Sequence, residues 1–172
     1  MPKVQRRLVV EGEHYVIECA VRADGVTCPA WEFLECLAKG MWAEDLDATS
    51  LPDDAQLEDR DKFLYFCYQL ANTGEPAHGT AVNYLVNGIW EFKRGKKRLA
   101  FHDTPGDGTY TPKLKGDGGE HTAAYRYWWF PNFDEYVRLG HAFPKLDAQT
   151  EDFDIEEALA IRTEDLQHDR VE

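Results

Sequence analysis

The chain has no apolar run of 18 residues, the length that crosses a bilayer as a helix, so no membrane span is expected. Its four cysteines, Cys19, Cys28, Cys36 and Cys67, form no CxxC pair, which argues against a structural zinc site. Signatures of the HExxH, GxSxG and Cys-His kinds are missing, and with them the most legible hydrolase chemistries. The glycine groups Gly106-Asp107-Gly108 and Gly116-Asp117-Gly118-Gly119 lack the strand-to-helix setting of a phosphate loop and read as turns. No internal repeat and no linker is visible. Positive charge is scarce: 19 Lys and Arg stand against 32 Asp and Glu, a net charge of −13. Such a chain is repelled by bulk nucleic acid, so any contact with it must pass through a local basic patch.

The hydrophobic content, 43%, is enough for a real core, and 172 residues make one ordinary domain, taken as 1–172. Met1-Pro2-Lys3-Val4-Gln5-Arg6-Arg7 is basic but leads into a charged hairpin rather than an apolar signal core, so a cytoplasmic location is expected. Cys19, Cys36 and Cys67 fall in apolar patterns and read as small core residues.

Leu8-Val9-Val10, the turn Glu11-Gly12-Glu13 and the arm Tyr15 to Val21 predict a β-hairpin, closed by Asp24-Gly25. A helix is expected from Thr27 or Cys28 with Pro29 in its first turn, burying Trp31, Leu34, Leu37 or Ala38, and Met41. Glu44 to Asp61 holds eight acidic residues and one arginine, and a second helix is expected from Ser50 through Phe63, Leu64, Cys67 and Leu70 to Gly74. After a loop, Ile89 to Lys93 reads as a strand, Arg94-Gly95-Lys96 as a turn, and Arg98 to Phe101 as its return. Residues His102 to Thr122 read as a long loop or flap. Tyr125 to Phe130 and Tyr136 to Phe143 read as two more strands around Pro131-Asn132-Phe133-Asp134. A last helix is expected from about Asp154 to Leu166, with Asp154 and Glu157 as a variant capping box. From Asp147 onward ten acidic residues face two basic ones, which predicts a solvated acidic helix. The order implies an α+β domain: a small, mainly antiparallel sheet with helices packed on one face.

The sharpest local signal is Lys93-Arg94-Gly95-Lys96-Lys97-Arg98, five basic residues in six. It reads either as a charged hairpin tip that keeps an edge soluble or as a patch for a nucleic-acid backbone. Lys113, Lys115 and Arg126 join that patch if the flap folds back. Tyr125, Tyr127, Trp128 and Trp129 are then stacking surfaces, or else core. His102 and His141 are candidates for proton transfer or simply satisfied strand residues. The pairs Asp53-Asp54 and Glu156-Glu157 read as helix-start and surface charge. Glu91 stands apart, on a strand just before the basic turn, as a base or as the partner of a neighbouring cation.

The order of these motifs resembles that of the RelE/HigB-like toxin superfamily, including its phage-derived members. Gly88-Ile89-Trp90-Glu91-Phe92-Lys93 is similar to the family's "G-apolar-aromatic-E-L-R" strand, and Tyr125-Arg126-Tyr127-Trp128-Trp129-Phe130 to its "YR-apolar-aromatic" strand. Leu139-Gly140-His141-Ala142-Phe143-Pro144-Lys145 resembles the "L-x-H-x-F-x-K" strand, and Ile155-Glu156-Glu157-Ala158 the "I-x-x-A" helix. The resemblance covers roughly 27–166. The N-terminal hairpin and the stretch from about Arg94 to Thr122 are additions to the pattern. What it implies is a metal-independent, cofactor-free endoribonuclease acting on messenger RNA, often at the ribosome, and held by an antitoxin-like protein. The 2′-hydroxyl attacks the adjacent phosphate while basic side chains steady the charge that builds there. Carried over, Lys93 takes the place of the family's arginine, Arg126 and Lys145 match later basic positions, and His141 a motif residue of varied role. Arg98 enters by proximity, and Arg94, Lys96, Lys97 and Tyr127 as RNA contacts. The alternatives are a non-catalytic interaction subunit of a phage or defence system on the same fold, and an acidic nucleic-acid mimic.

Overall fold

The computed structural model describes residues 4–115 and 130–170. Among them the elements run β1 (Leu8–Glu11), β2 (Val16–Cys19), α1 (Pro29–Lys39), α2 (Ala55–Thr73), β3 (Val82–Val86), β4 (Ile89–Arg94), β5 (Lys97–Thr104), β6 (Tyr136–Pro144) and α3 (Asp152–Arg170). The strands form one sheet in the order β1-β2-β6-β5-β4-β3. Every pairing is antiparallel except β2 with β6, which run parallel with Val16 opposite Tyr136 and Cys19 opposite Leu139. The α+β class and the mainly antiparallel sheet are as the sequence predicts.

Alternation along the strands sorts the two faces. Trp90 and Phe92 of β4, Leu99 and Phe101 of β5, and Val137 and Leu139 of β6 point into the main core with Phe33, Leu37, Phe63, Phe66 and Leu70 of α1 and α2. There Phe92 stacks on Phe101 at 4.4 Å between centroids. Truncating a ring packed this way costs about 3–5 kcal/mol. The intervening residues face the other way, where Ile89 and Ala100 pack against Ala158 of α3. The two early helices therefore share one face, as expected, and α3 crosses the other.

Local chemistry places the helix ends. Pro29 opens α1 with its fixed φ. Gly40 closes it at φ 68°, and an added Cβ would meet the Asp53 carbonyl oxygen at 2.6 Å. The buried stripe of α1 is Ala30, Phe33, Leu34 and Leu37, so the expected stripe is rotated: Trp31 is half-buried and Met41, past the helix end, is exposed. The second helix begins at Ala55, not Ser50, and ends as expected at Gly74. Asp154 does not cap α3 but lies buried inside it, two residues after its start. The hairpin β1–β2 is no appendage, because β2 is an inner strand held by β1 and β6. The flap begins later than expected, since β5 continues through His102 to Thr104. Of the four cysteines Cys19, Cys28 and Cys67 are buried and Cys36 half-buried, exchanging the expected places of Cys28 and Cys36. The expected strand from Tyr125 falls, except for Phe130, outside the described residues; Phe130 is buried in irregular backbone.

Candidate functional site

The basic turn between β4 and β5 is held by the chain's own acidic segment. Lys97 is 5% exposed, with its Nζ 2.8 Å from Asp59 and 2.9 Å from Asp45. Burial alone would lower its pKa, but the two carboxylates outweigh it and the ammonium ends above its ordinary range. Arg94 reaches Asp59 at 2.9 Å and Glu58 at 3.4 Å, and Lys96 reaches Asp47 at 3.3 Å. The acidic run Glu44 to Asp61 thus neutralises, within one molecule, the patch that the sequence offers to phosphate.

Lys93 and Arg98 have a different fate. They face each other across β4 and β5 and share the sheet side of Glu91. Together with Lys62, Arg94, His78 and Thr80 they line a pocket of about 340 Å³. Four basic residues and a histidine line it with no carboxylate among them, and one of the four, Arg94, is already paired with Asp59 and Glu58. Burial, then the nearby Arg98 guanidinium, pulls the Lys93 ammonium below its ordinary pKa, and burial likewise lowers Arg98. His78 is exposed; its Nδ1 lies 2.8 Å from the Thr80 hydroxyl and its ring meets the edge of Phe66.

Next to this pocket lies a second, of about 360 Å³, whose lining includes Glu91, Lys145, Asn83 and Tyr84. The Glu91 side chain is 1% exposed. Its Oε1 accepts a long bond of 3.4 Å from Asn83 and lies 3.7 Å from Arg98 Nε, while Oε2 has no hydrogen-bond partner among the described residues. Burial raises its pKa, against the pull of Lys145, Arg98 and Lys93. Lys145 donates to the Thr150 hydroxyl at 2.7 Å. The structure therefore brings Lys93, Arg98 and Lys145 together around Glu91.

His141 stands aside from them. Its Nε2 is 2.8 Å from the buried Asp154 carboxylate and its ring stacks on Phe143, so it ties β6 to α3. His102 is buried against Asp165, which also receives Arg6, Arg138 and the Val21 amide. That cluster joins the N-terminal arm, β5, β6, α3 and the segment just after β2. Arg126 and Tyr127 lie outside the described residues, as do Tyr125, Trp128 and Trp129. No group of three or more potential metal ligands occurs among the described residues, and no described helix is long and apolar enough to cross a membrane.

Sequence reasoning missed Lys62 and His78, which sit on α2 and in the loop before β3. A signal existed for the strand that frames them. Val82 to Val86 followed by Asn87-Gly88 and Ile89 is a hairpin pattern, and both turn residues have positive φ, 45° and 83°. Comparison with known protein families, with curated proteins and with solved structures finds no match.

Proposed function

We propose that the protein binds RNA through the Lys62–Lys93–Arg94–Arg98 pocket and cleaves it in the manner of the RelE/HigB-like toxins that its motifs resemble. The observation that carries this reading is a pocket lined by Lys62, Lys93, Arg98 and the carboxylate-paired Arg94, with no carboxylate in its lining, in a chain of net charge −13. The net negative charge repels anions in general, and this pocket is where a phosphodiester finds compensation. In the proposed step the 2′-oxygen forms a bond to the adjacent phosphorus and the bond to the 5′-oxygen breaks. His78 takes the 2′-hydroxyl proton on Nε2 in the tautomer whose Nδ1–H donates to Thr80. Lys93, its pKa lowered by burial, gives a proton to the departing 5′-oxygen. Arg98 stabilises the charge on the phosphate oxygens. The products are a 2′,3′-cyclic phosphate and a free 5′-hydroxyl.

The partners of this reading are messenger RNA or the ribosome, and an antitoxin-like protein, in the cytoplasm. Because the basic turn is already covered by Asp45, Asp47 and Asp59, that protein covers the phosphate pocket instead. A second reading, a non-catalytic interaction subunit, is favoured by the exposed Leu57, Tyr65 and Tyr68 of α2.

The test is a short single-stranded RNA incubated with wild type, Arg98→Ala and His78→Ala. Wild type cuts it without added metal, and each variant is slower by about 10²–10³-fold for Arg98 and about 10²–10⁴-fold for His78. Wild type that neither binds nor cuts the RNA, on or off ribosomes, rejects the nuclease and leaves the interaction subunit.

A further inference from the structure

The second pocket has a chemistry the phosphate site does not use. Its feature is a buried carboxylate with one oxygen unpartnered, beside an ammonium group, in a mainly polar lining that also includes Asn83, Gln149 and Thr150. An unpaired buried acceptor of this kind costs on the order of 1–3 kcal/mol, more when it is charged, and calls for an explanation. Glu91 lies on the floor of the sheet at β4, Asn83 stands opposite it on β3, and Lys145 follows β6. Leu85 and Ile155 add branched apolar surface, and about 360 Å³ is the scale of a small-molecule site.

We infer that this pocket binds a guanine base, with Glu91 accepting from its N1–H and N2 amino groups and Lys145 donating to its O6. The inference rests on the RNA reading above and names the base that the neighbouring phosphate belongs to. The choice among bases follows from their donor patterns. Guanine alone offers two parallel N–H donors on one edge, which match the two oxygens of a carboxylate, with an acceptor next to them for an ammonium. Uracil offers a single N–H flanked by two carbonyls that the carboxylate repels. Adenine places the N1 lone pair beside its amino group, and cytosine presents one donor edge only. A cationic ligand for Glu91 is disfavoured because Lys93, Arg98 and Lys145 already act on that carboxylate. Asp152, exposed at the start of α3, also lines the pocket and adds no donor.

The proximity of the two pockets gives the arrangement its sense. Glu91 and Arg98 belong to neighbouring pockets yet lie 3.7 Å apart at their nearest polar atoms. A base seated over Glu91 therefore lies beside Lys93 and Arg98, the cations that share the Glu91 side of the sheet.

The experiment separates base from phosphate. The full chain is titrated with guanosine, with GMP, IMP, AMP, CMP and UMP, and with inorganic phosphate, and binding is followed by calorimetry and by NMR shifts. GMP is expected to bind at least about tenfold more tightly than AMP, CMP or UMP, the discrimination of one good bidentate pair. IMP, which lacks the N2 amino group, falls between. Glu91→Gln and Lys145→Met each reduce the preference for GMP over AMP, CMP and UMP, read as a ratio of affinities so that any change in phosphate binding common to the four nucleotides cancels. Lys93→Ala weakens all nucleotides alike. Equal binding of all four nucleotides, with phosphate bound, overturns the guanine pocket and leaves the phosphate site standing. Guanosine bound with no affinity for phosphate keeps the pocket and removes the nuclease reading. A Glu91→Gln variant that retains the full preference for GMP also overturns the inference.

Discussion

Replacement of Asp165 by alanine should be among the most damaging single changes in this protein. The carboxylate is fully buried in α3 and receives Arg6 Nε at 2.8 Å, Arg138 Nη1 at 2.9 Å, the Val21 amide at 3.0 Å and His102 at 3.2 Å. Arg138 is 2% exposed. It keeps Glu18 and Asp169 when Asp165 is removed, but the Val21 amide and His102 lose their acceptor. Breaking a buried charge cluster from one side costs about 3–5 kcal/mol. For a chain of this size that lowers Tm by roughly 6–20 °C, out of a total stability of about 5–15 kcal/mol. Urea denaturation and thermal melting measure it. Asp165→Asn restores an acceptor for Val21 without the charge and should recover only part of the loss. Desolvation is the reason a whole buried cluster is not itself evidence of net stabilisation; the large effect belongs to removing one partner. Asp165→Ala within about 1 kcal/mol of wild type at unchanged m-value would refute the reasoning.

The same cluster fixes the pH dependence. Burial lowers the His102 pKa despite its bond to Asp165. The unfolded chain then binds more protons just below its ordinary value of about 6.5, so stability is full above that pH and declines beneath it. Asp165 is held below the usual carboxylate range because His102, Arg138 and Arg6 outweigh its burial; its contribution is present above about pH 4 and lost further down. Stability curves at several pH values should show both slopes, and a His102→Gln variant should lose the upper one. Gly40→Ala should destabilise by about 2 kcal/mol or more, from the left-handed backbone and the contact with Asp53, as a urea midpoint shift will show. Thiol titration of native protein should find Cys36 fast and Cys19 and Cys67 slow, with burial pushing the Cys67 thiol up to about 12; equal rates for all three would contradict the core placement.

Most of the strands and both early helices were legible because their apolar positions repeat at the right period and because Pro29, Gly74 and the turn at Gly95 mark their ends. The starts of α2 and α3 were less so, since Ser50 and Asp154 carry cap chemistry in segments dense with acidic residues. Alternation shows that Glu91 and Lys93 share a face, and nothing in it shows that Lys145 meets them there. The pairing of Lys97 with Asp45 and Asp59 was hidden for the same reason: it joins the basic turn to residues 52 and 38 positions earlier. His78 lies in a loop with no pattern around it, and only the tertiary fold brings it to the pocket that Lys93 also lines.

The parallel pairing of β2 with β6 has a consequence for the order in which the protein assembles. Glu18 and Arg138 are 120 positions apart in the chain, yet their strands are neighbours in the middle of the sheet. The meander β3–β4–β5 needs only short turns and closes early, on the scale of hairpin formation. The N-terminal hairpin must wait for a strand made long after it, and loop closure of that length is slow. During synthesis β2 therefore leaves the ribosome with one edge unfilled, an invitation to pair with another chain until residue 144 has emerged. Glu18, the charged residue of β2, acts as the guard on that edge in the interval.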